Sequence, residues 1–239
     1  MAQAATPLPA STVVLVRPDP DGEFEIYLNR RPDGMDTYAG VYVFPGGRVE
    51  RGDYSTAMIG LTRGMTPAEA KLKLGAEFEP EMCLAYWVAA VRELFEEAGI
   101  HFFISGDRAA TQALPEEISR RLAGKRAALQ QGAITMAELL LSEGLFCDVA
   151  SLSYFFHRIT PEHYPIRFDT RFYLAALPAG QNPLHATEEV SESLWTAPSA
   201  ALKRAEAGEF RMMPPTLAVL RTLSDYRSWE DLRHYFNLR

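Results

Sequence analysis

Hydrophobic positions along the chain change period twice, and the changes predict the elements. STVVLVRP (11–18) and FEIYLNRR (24–31) are rich in β-branched and aromatic residues and predict two strands, with PDPDG supplying the turn between them. VYVF (41–44) predicts a third short strand that stops at PGG. From Cys83 to Ala98 the period becomes helical. At about 100° per residue, Leu84, Trp87, Val88, Val91, Leu94, Phe95 and Ala98 share one half of the wheel. Glu93, Glu96 and Glu97 fall on the opposite arc, with the small Ala89 and Ala90 near it. Gly99 is a natural stop, and IHFFI after it reads as a strand.

The segments between these elements are less regular. Residues 54–85 are polar and mixed, helical around PAEAKLKL, and read as an insertion without a core of its own. Residues 107–145 predict a helical elaboration of two helices, PEEISRRLAGKRAALQQ and TMAELLLSEG. RFDTRFYLAALP (167–178) predicts a strand, and Trp195 closes another short segment. Helices follow over 196–208, 214–226 and 228–236, so that 197–239 forms a set of C-terminal helices. Neither internal repeats nor low-complexity stretches interrupt the pattern.

With 239 residues and 47% hydrophobic content, the chain can bury one sizeable core. A single catalytic domain over 1–239 is the expectation. Lys+Arg 24 against Asp+Glu 31 gives −7, which disfavours a protein that coats nucleic acid. Small phosphorylated ligands need only a local basic pocket and stay open. Cys83 and Cys147 lack metal-type spacing and read as reduced core residues. No run approaches 18 apolar residues, and neither terminus carries a readable targeting or lipidation signal. A cytoplasmic protein that does not engage membranes is the expectation.

RELFEEAGI (92–100) carries the chemistry. Like charges three and four apart on a helix repel, so Glu93, Glu96 and Glu97 need a divalent cation, nearby arginines or water to offset them. Taken alone, E-x-x-E-E is a solvated helix face. Arg92, the Gly99 stop and the upstream Phe44-Pro45-Gly46-Gly47 turn separate this stretch from an ordinary surface.

Those residues resemble the Nudix box, G-x5-E-x7-R-E-U-x-E-E-x-G-U, where U is a bulky aliphatic residue. Gly47 takes the first glycine, and residues 92–100 match the second half throughout. Two departures stand out. Asp53 occupies the position of the first Glu, and 38 residues (54–91) replace the usual seven. The long spacer is similar to that of the split-box acyl-coenzyme A diphosphatases of the peroxisomal type and their bacterial relatives. GVYVFPGGRVERGD (40–53), RITPEHYPIRFDTRFYLAALP (158–178) and EFRMMPPTLAVLRTL (209–223) extend the likeness.

The resemblance implies an α/β (α+β) Nudix fold: an α/β/α sandwich with a central mixed sheet, an insertion inside the box and extra helices. It implies Mg²⁺ or Mn²⁺ as cofactor, since hard cations prefer oxygen ligands. By the same resemblance Glu96 and Glu97 are core metal ligands, with an oxygen from the Gly47 backbone. Glu93 is a further ligand or the base, and Arg92 holds Glu93 or its neighbour through a bidentate contact. A base on a later loop is the alternative, and TEEVSESLW (187–195) offers Glu188, Glu189 and Glu192, with Glu189 preferred. Asp53 and Glu50 are equally readable as surface acids. Arg167, Asp169 and Arg171 share one strand face and read either as a buried ion-pair network or as phosphate contacts. Arg30 and Arg31, at a strand end, are further candidates for substrate binding. His101, His157, His163 and His185 show no ligand spacing and read as structural.

The resemblance implies a pyrophosphohydrolase acting on a small nucleotide or coenzyme A substrate, with coenzyme A or acyl-coenzyme A preferred. Nucleotide-sugar, ADP-ribose or NADH pyrophosphatases, and a catalytically silent nucleotide sensor, are the alternatives. Coenzyme A subgroups commonly carry an arginine-glycine pattern before FPGG; here Gly40 fits, and Asp36 stands in place of the arginine. Thr62, Arg63, Lys71 and Lys73 would supply the missing charge if the insertion folds over the site. Dimers are common in the family, an arrangement these residues do not themselves specify.

Overall fold

The computed structural model describes residues 5–34, 38–75, 77–106, 114–184 and 190–239. Strands β1 (Leu8–Pro18), β2 (Phe24–Arg30), β3 (Tyr42–Val43) and β4 (Gly46–Arg48) come first. A 3-10 turn (Arg51–Tyr54), α1 (Thr56–Leu61), β5 (Thr62–Arg63) and α2 (Pro67–Leu74) lead to the long α3 (Pro80–Ala98). Then follow β6 (Phe103–Ser105), α4 (Glu116–Gln130), α5 (Met136–Glu143), β7 (Leu145–Asp148), β8 (Ser153–Ile159), β9 (Phe168–Ala176) and β10 (Glu192–Thr196). Helices α6 (Pro198–Glu206), α7 (Pro214–Leu223) and α8 (Trp229–Phe236) complete the order.

The main sheet has seven strands in the order β10-β2-β1-β9-β8, with β3 paired to β2 and β4 to β1. Only β1 and β9 run parallel among these pairs, so the sheet is mixed. Side chains on a strand alternate between faces, and here both faces are covered. Val13, Leu15, Tyr27 and Tyr173 pack against α3 and its neighbours. Val14, Val16, Ile26, Leu28 and Phe172 pack against residues of α6, α7 and α8. The result is a sheet sandwiched between two helical layers.

Helix α3 is apolar nearly all round its first three turns, and such a helix has to be buried. Cys83 through Val91 are all at most 1% exposed. Gly99, in the left-handed region at φ 70°, ends it. Ser11 Oγ of β1 donates to the Tyr86 carbonyl at 2.6 Å and pins the helix to the sheet.

The inserted segment does not lie apart. Met58, Leu61 and Ala70 are buried in the same core as Trp87 and Leu94, and β5 pairs with β7 in a second sheet, β5-β7-β6. A Thr66–Glu69 capping box, with Pro67 in the first turn, starts α2. Both cysteines are buried and free. Among the described residues, no helix is long and apolar enough to cross a membrane.

Candidate active site

The second half of α3 sets three carboxylates beside a glycine bend. Strand β4 runs antiparallel to β1, with Gly46 opposite Thr12 and Gly47 opposite Ser11. A Cβ at position 46 would meet the Ser11 carbonyl and Thr12, and one at 47 would meet the Glu93 carboxylate. Position 46 therefore requires glycine, whereas at 47 only the Glu93 side chain would have to move, and Glu93 sits directly on the Gly47 backbone.

Arg92 organises the rest. Its Nε and Nη2 reach Asp53 Oδ1 and Oδ2 at 2.9 and 3.1 Å, and Nη2 also donates to the Arg48 carbonyl at 2.8 Å. Nη1 binds Glu93 Oε1 at 2.9 Å and Glu96 Oε2 at 3.2 Å. The bidentate contact therefore goes to Asp53, while Glu93 and Glu96 each take a single bond. Asp53 is no surface acid: it is 1% exposed, and its Oδ2 also accepts from the Glu50 backbone N–H. Glu50 itself is exposed. Burial disfavours the Arg92 cation, yet the surrounding carboxylates outweigh it and raise its pKa.

The acids themselves are short of compensation. Burial pushes the Glu93 carboxyl up to about 7, with Glu96 adding to the effect and Arg92 opposing it. Glu96 is raised for the same reasons, burial first. Glu97 accepts from Asn29 Nδ2 at 3.2 Å. Asn29 is buried in β2, and its Oδ1 accepts from Ser193 Oγ of β10. Among the described residues no three His, Cys, Asp or Glu side chains form a ready metal cluster. The donor set nonetheless fits a hard cation: all donors are oxygens, one helix face carries them, and two of the carboxyls are made more basic by burial.

Helix α4 reaches the site as well. Arg126 Nη1 donates to the Glu96 carbonyl, near the end of α3 where carbonyls lack helical partners. A cavity of about 150 Å³ is lined by Glu50, Arg92, Glu96, Leu129 of α4 and Met136 of α5.

The other sequence candidates lie elsewhere. Arg167 donates to the carbonyls of Thr160 and Ala5. Arg171 is buried, 3.4 Å from Asp169 and over the Tyr86 ring, and His157 binds Asp169 at 2.6 Å. That arrangement is the ion-pair network. Arg30 pairs with Asp33 at 2.6 Å and bonds Ser191. Glu192 accepts from Tyr42, across from Arg30. Arg31 borders a separate cavity. Glu188, Glu189, His185 and Asp36 lie outside the described residues. His101 is half-buried, and desolvation pushes its pKa down to about 4, while His163 packs beside Tyr164.

The inserted cations do not cover the acids. Arg63 sits over the Phe146 ring at 3.8 Å. Lys71 is near Cys83, ten residues before Glu93 and hence about 15 Å along the helix. Sequence reasoning missed Asn29 and Arg126. For Asn29 a signal existed, since a lone amide shares the inward face of β2 with Tyr27. For Arg126 none did.

The solved structure of a NUDIX hydrolase from Alicyclobacillus acidocaldarius is similar to this chain, with a TM-score of 0.69 and 27% identity over 94% of each chain. The fold is thus of the Nudix class. A family model described as the NUDT19 Nudix domain matches residues 2–223, and the chain belongs to that family. It is 27% identical to an acyl-coenzyme A diphosphatase NUDT19 of Gallus gallus, over 91% of this chain and 66% of that protein. To the protein of the same name from Xenopus laevis it is 23% identical, over 89% and 63%. The chain thus spans slightly under two thirds of the length of these curated relatives.

Proposed function

We propose that the protein is a divalent-metal-dependent pyrophosphohydrolase that cleaves coenzyme A or acyl-coenzyme A into 3′,5′-ADP and a 4′-phosphopantetheine species. The observation that carries this reading is the Arg92 cluster, which sets Glu93 and Glu96 beside the Gly47 bend. The NUDT19 relatives supply the substrate class.

Glu93, Glu96, Glu97 and the Gly47 carbonyl would hold Mg²⁺ or Mn²⁺. When bound, the cation neutralises the diphosphate oxygens and acidifies a water. The chain's own part is arrangement and proton handling. Arg92 fixes two of the carboxylates, and Asn29 fixes the third. Burial raises the Glu93 carboxyl to about 7 without metal, and a bound cation would lower it toward the carboxylate form that a general base must present. Glu189, in the segment before β10, is the second candidate for that role. Arg30, Arg31, Arg167 and Arg171 remain candidates for the substrate, and of these Arg31 alone borders a cavity without a partner of its own among the described residues.

The test is hydrolysis, with Mg²⁺ or Mn²⁺, of a panel of coenzyme A, acyl-coenzyme A, NADH, ADP-ribose and nucleotide sugars, with products identified. Release of 3′,5′-ADP supports the reading. Turnover of ADP-ribose or NADH alone would move the substrate class, and tight binding without turnover would make the protein a sensor.

A further inference from the structure

A cavity of about 400 Å³ opens at the ends of β2, β3, β8 and β9. Arg31 and Arg158 line it, and none of its described lining residues is a carboxylate. Neither guanidinium has an ion pair or side-chain hydrogen bond among the described residues, and the Arg31 Nε is buried without an acceptor. Such a donor is costly to leave unmet. The neighbouring Arg30 is spent on Asp33 and Ser191, so the contrast is between adjacent residues. Arg158 lies over the Phe156 ring at 5.2 Å, a contact that leaves its N–H donors open, and in a chain of net charge −7 two cations without a carboxylate partner among the described residues call for an anion.

Further features agree. Met213 and Pro214 place the first turn of the ten-residue α7 against the cavity, and a helix start carries partial positive charge. Tyr38, Tyr164 and Phe168 supply aromatic faces. Tyr38 holds φ at 56°, a conformation that bulky residues seldom adopt and that clusters at ligand sites.

One edge of the cavity lies a strand's width from a residue that holds an acid: Val43 is the strand partner of Asn29, Asn29 holds Glu97, and adjacent strands lie about 4.8 Å apart.

We propose that the cavity receives the phosphorylated nucleoside end of the substrate. Arg31 and Arg158 take a phosphomonoester, and Tyr38, Tyr164 and Phe168 flank the base. The proposal rests on the coenzyme A reading, since that nucleoside carries a 3′-phosphate which NADH and ADP-ribose lack. An apolar acyl arm fits worse, because it would leave both guanidiniums without an acceptor.

Two measurements test this. The first is kcat/KM for coenzyme A against 3′-dephospho-coenzyme A, in the wild-type protein, Arg31→Gln and Arg158→Gln. The wild-type preference for the 3′-phosphate should shrink at least about tenfold in each variant, with melting temperatures close to wild type because neither arginine holds the fold together. The second is calorimetric binding of adenosine 3′,5′-bisphosphate against AMP, without metal, and the variants should lose the extra affinity of the bisphosphate. Equal losses on both substrates, or acyl-length dependence that changes while phosphate discrimination stays, would overturn the assignment and leave the coenzyme A reading intact. If the wild-type protein turns over no coenzyme A, that reading falls, and the bisphosphate titration alone decides the cavity: affinity lost in Arg31→Gln supports it, and affinity unchanged overturns it.

Discussion

Asp53 and Arg92, 39 positions apart, face each other through two hydrogen bonds of 2.9 and 3.1 Å, with both side chains withdrawn from solvent. The inserted segment leaves the core between them and returns to it, so this pair closes the loop at the active site. Without the Asp53 charge Arg92 keeps its bonds to Glu93, Glu96 and the Arg48 carbonyl, so the loss is that of one charge-assisted pair, about 1–3 kcal/mol. Asp53→Asn should lower stability by that order in denaturant unfolding, and should lower activity further by freeing Arg92 from its fixed position.

Gly46 and Gly47 should fail differently. A methyl at 46 meets backbone atoms of β1, which cannot yield without moving the strand. A methyl at 47 meets only the end of the Glu93 side chain. Gly46→Ala is expected to reduce the melting temperature, and Gly47→Ala to spare it while reducing kcat. The reverse pattern would refute this assignment of roles.

Glu97 and Asn29 form a hierarchy. Glu97→Gln takes a charge from a proposed metal ligand and should lower turnover by about a hundredfold or more. Asn29→Ala removes only the group that orients Glu97, so a loss of about 10–100-fold is expected. Steady-state kinetics across a metal titration checks both, since the Asn29 variant should regain part of its rate at high metal concentration.

The raised Glu93 pKa makes a prediction about stability without metal. Its folded value of about 7 exceeds the ordinary 4.5, so between these values the folded protein holds a proton that the unfolded chain has released. Proton binding favours the folded state there, and stability falls as pH rises through that window. Metal-free wild-type protein should therefore lose more stability from pH 4.5 to 7 than Glu93→Gln does, as measured by thermal unfolding at several pH values.

Met58 tests the inserted segment. It is fully buried, and truncation of such a side chain costs about 2–5 kcal/mol. Met58→Ala should approach that loss; a change near zero would mean that the segment rides on the core without supporting it.

Much of this architecture was readable beforehand. The α3 pattern was unambiguous because a run as apolar as CLAYWVAAV followed by acids and glycine permits one placement, with the acids at the exposed end. The strands at 11–18 and 24–31 matched to within a few residues; β1 starts earlier, at Leu8, because parallel pairing with β9 reaches Phe168. The docking of the insertion was not readable, since Met58, Leu61 and Ala70, scattered through a polar stretch, give no periodicity. Asp53 was obscured for a related reason: the residue that defines its role lies 39 positions away, and local chemistry could not separate a buried anchor from a surface acid. The segment holding Glu189 stays outside the described residues.

The enclosure of α3 has a bearing on how such an enzyme changes over time. A helix whose first three turns are enclosed cannot shift or rotate without disturbing the sheet it packs on, so the acids on its last turns are held in one place. Change is left to the rim, where exposed positions such as Tyr38 can be rewritten without unsettling the interior.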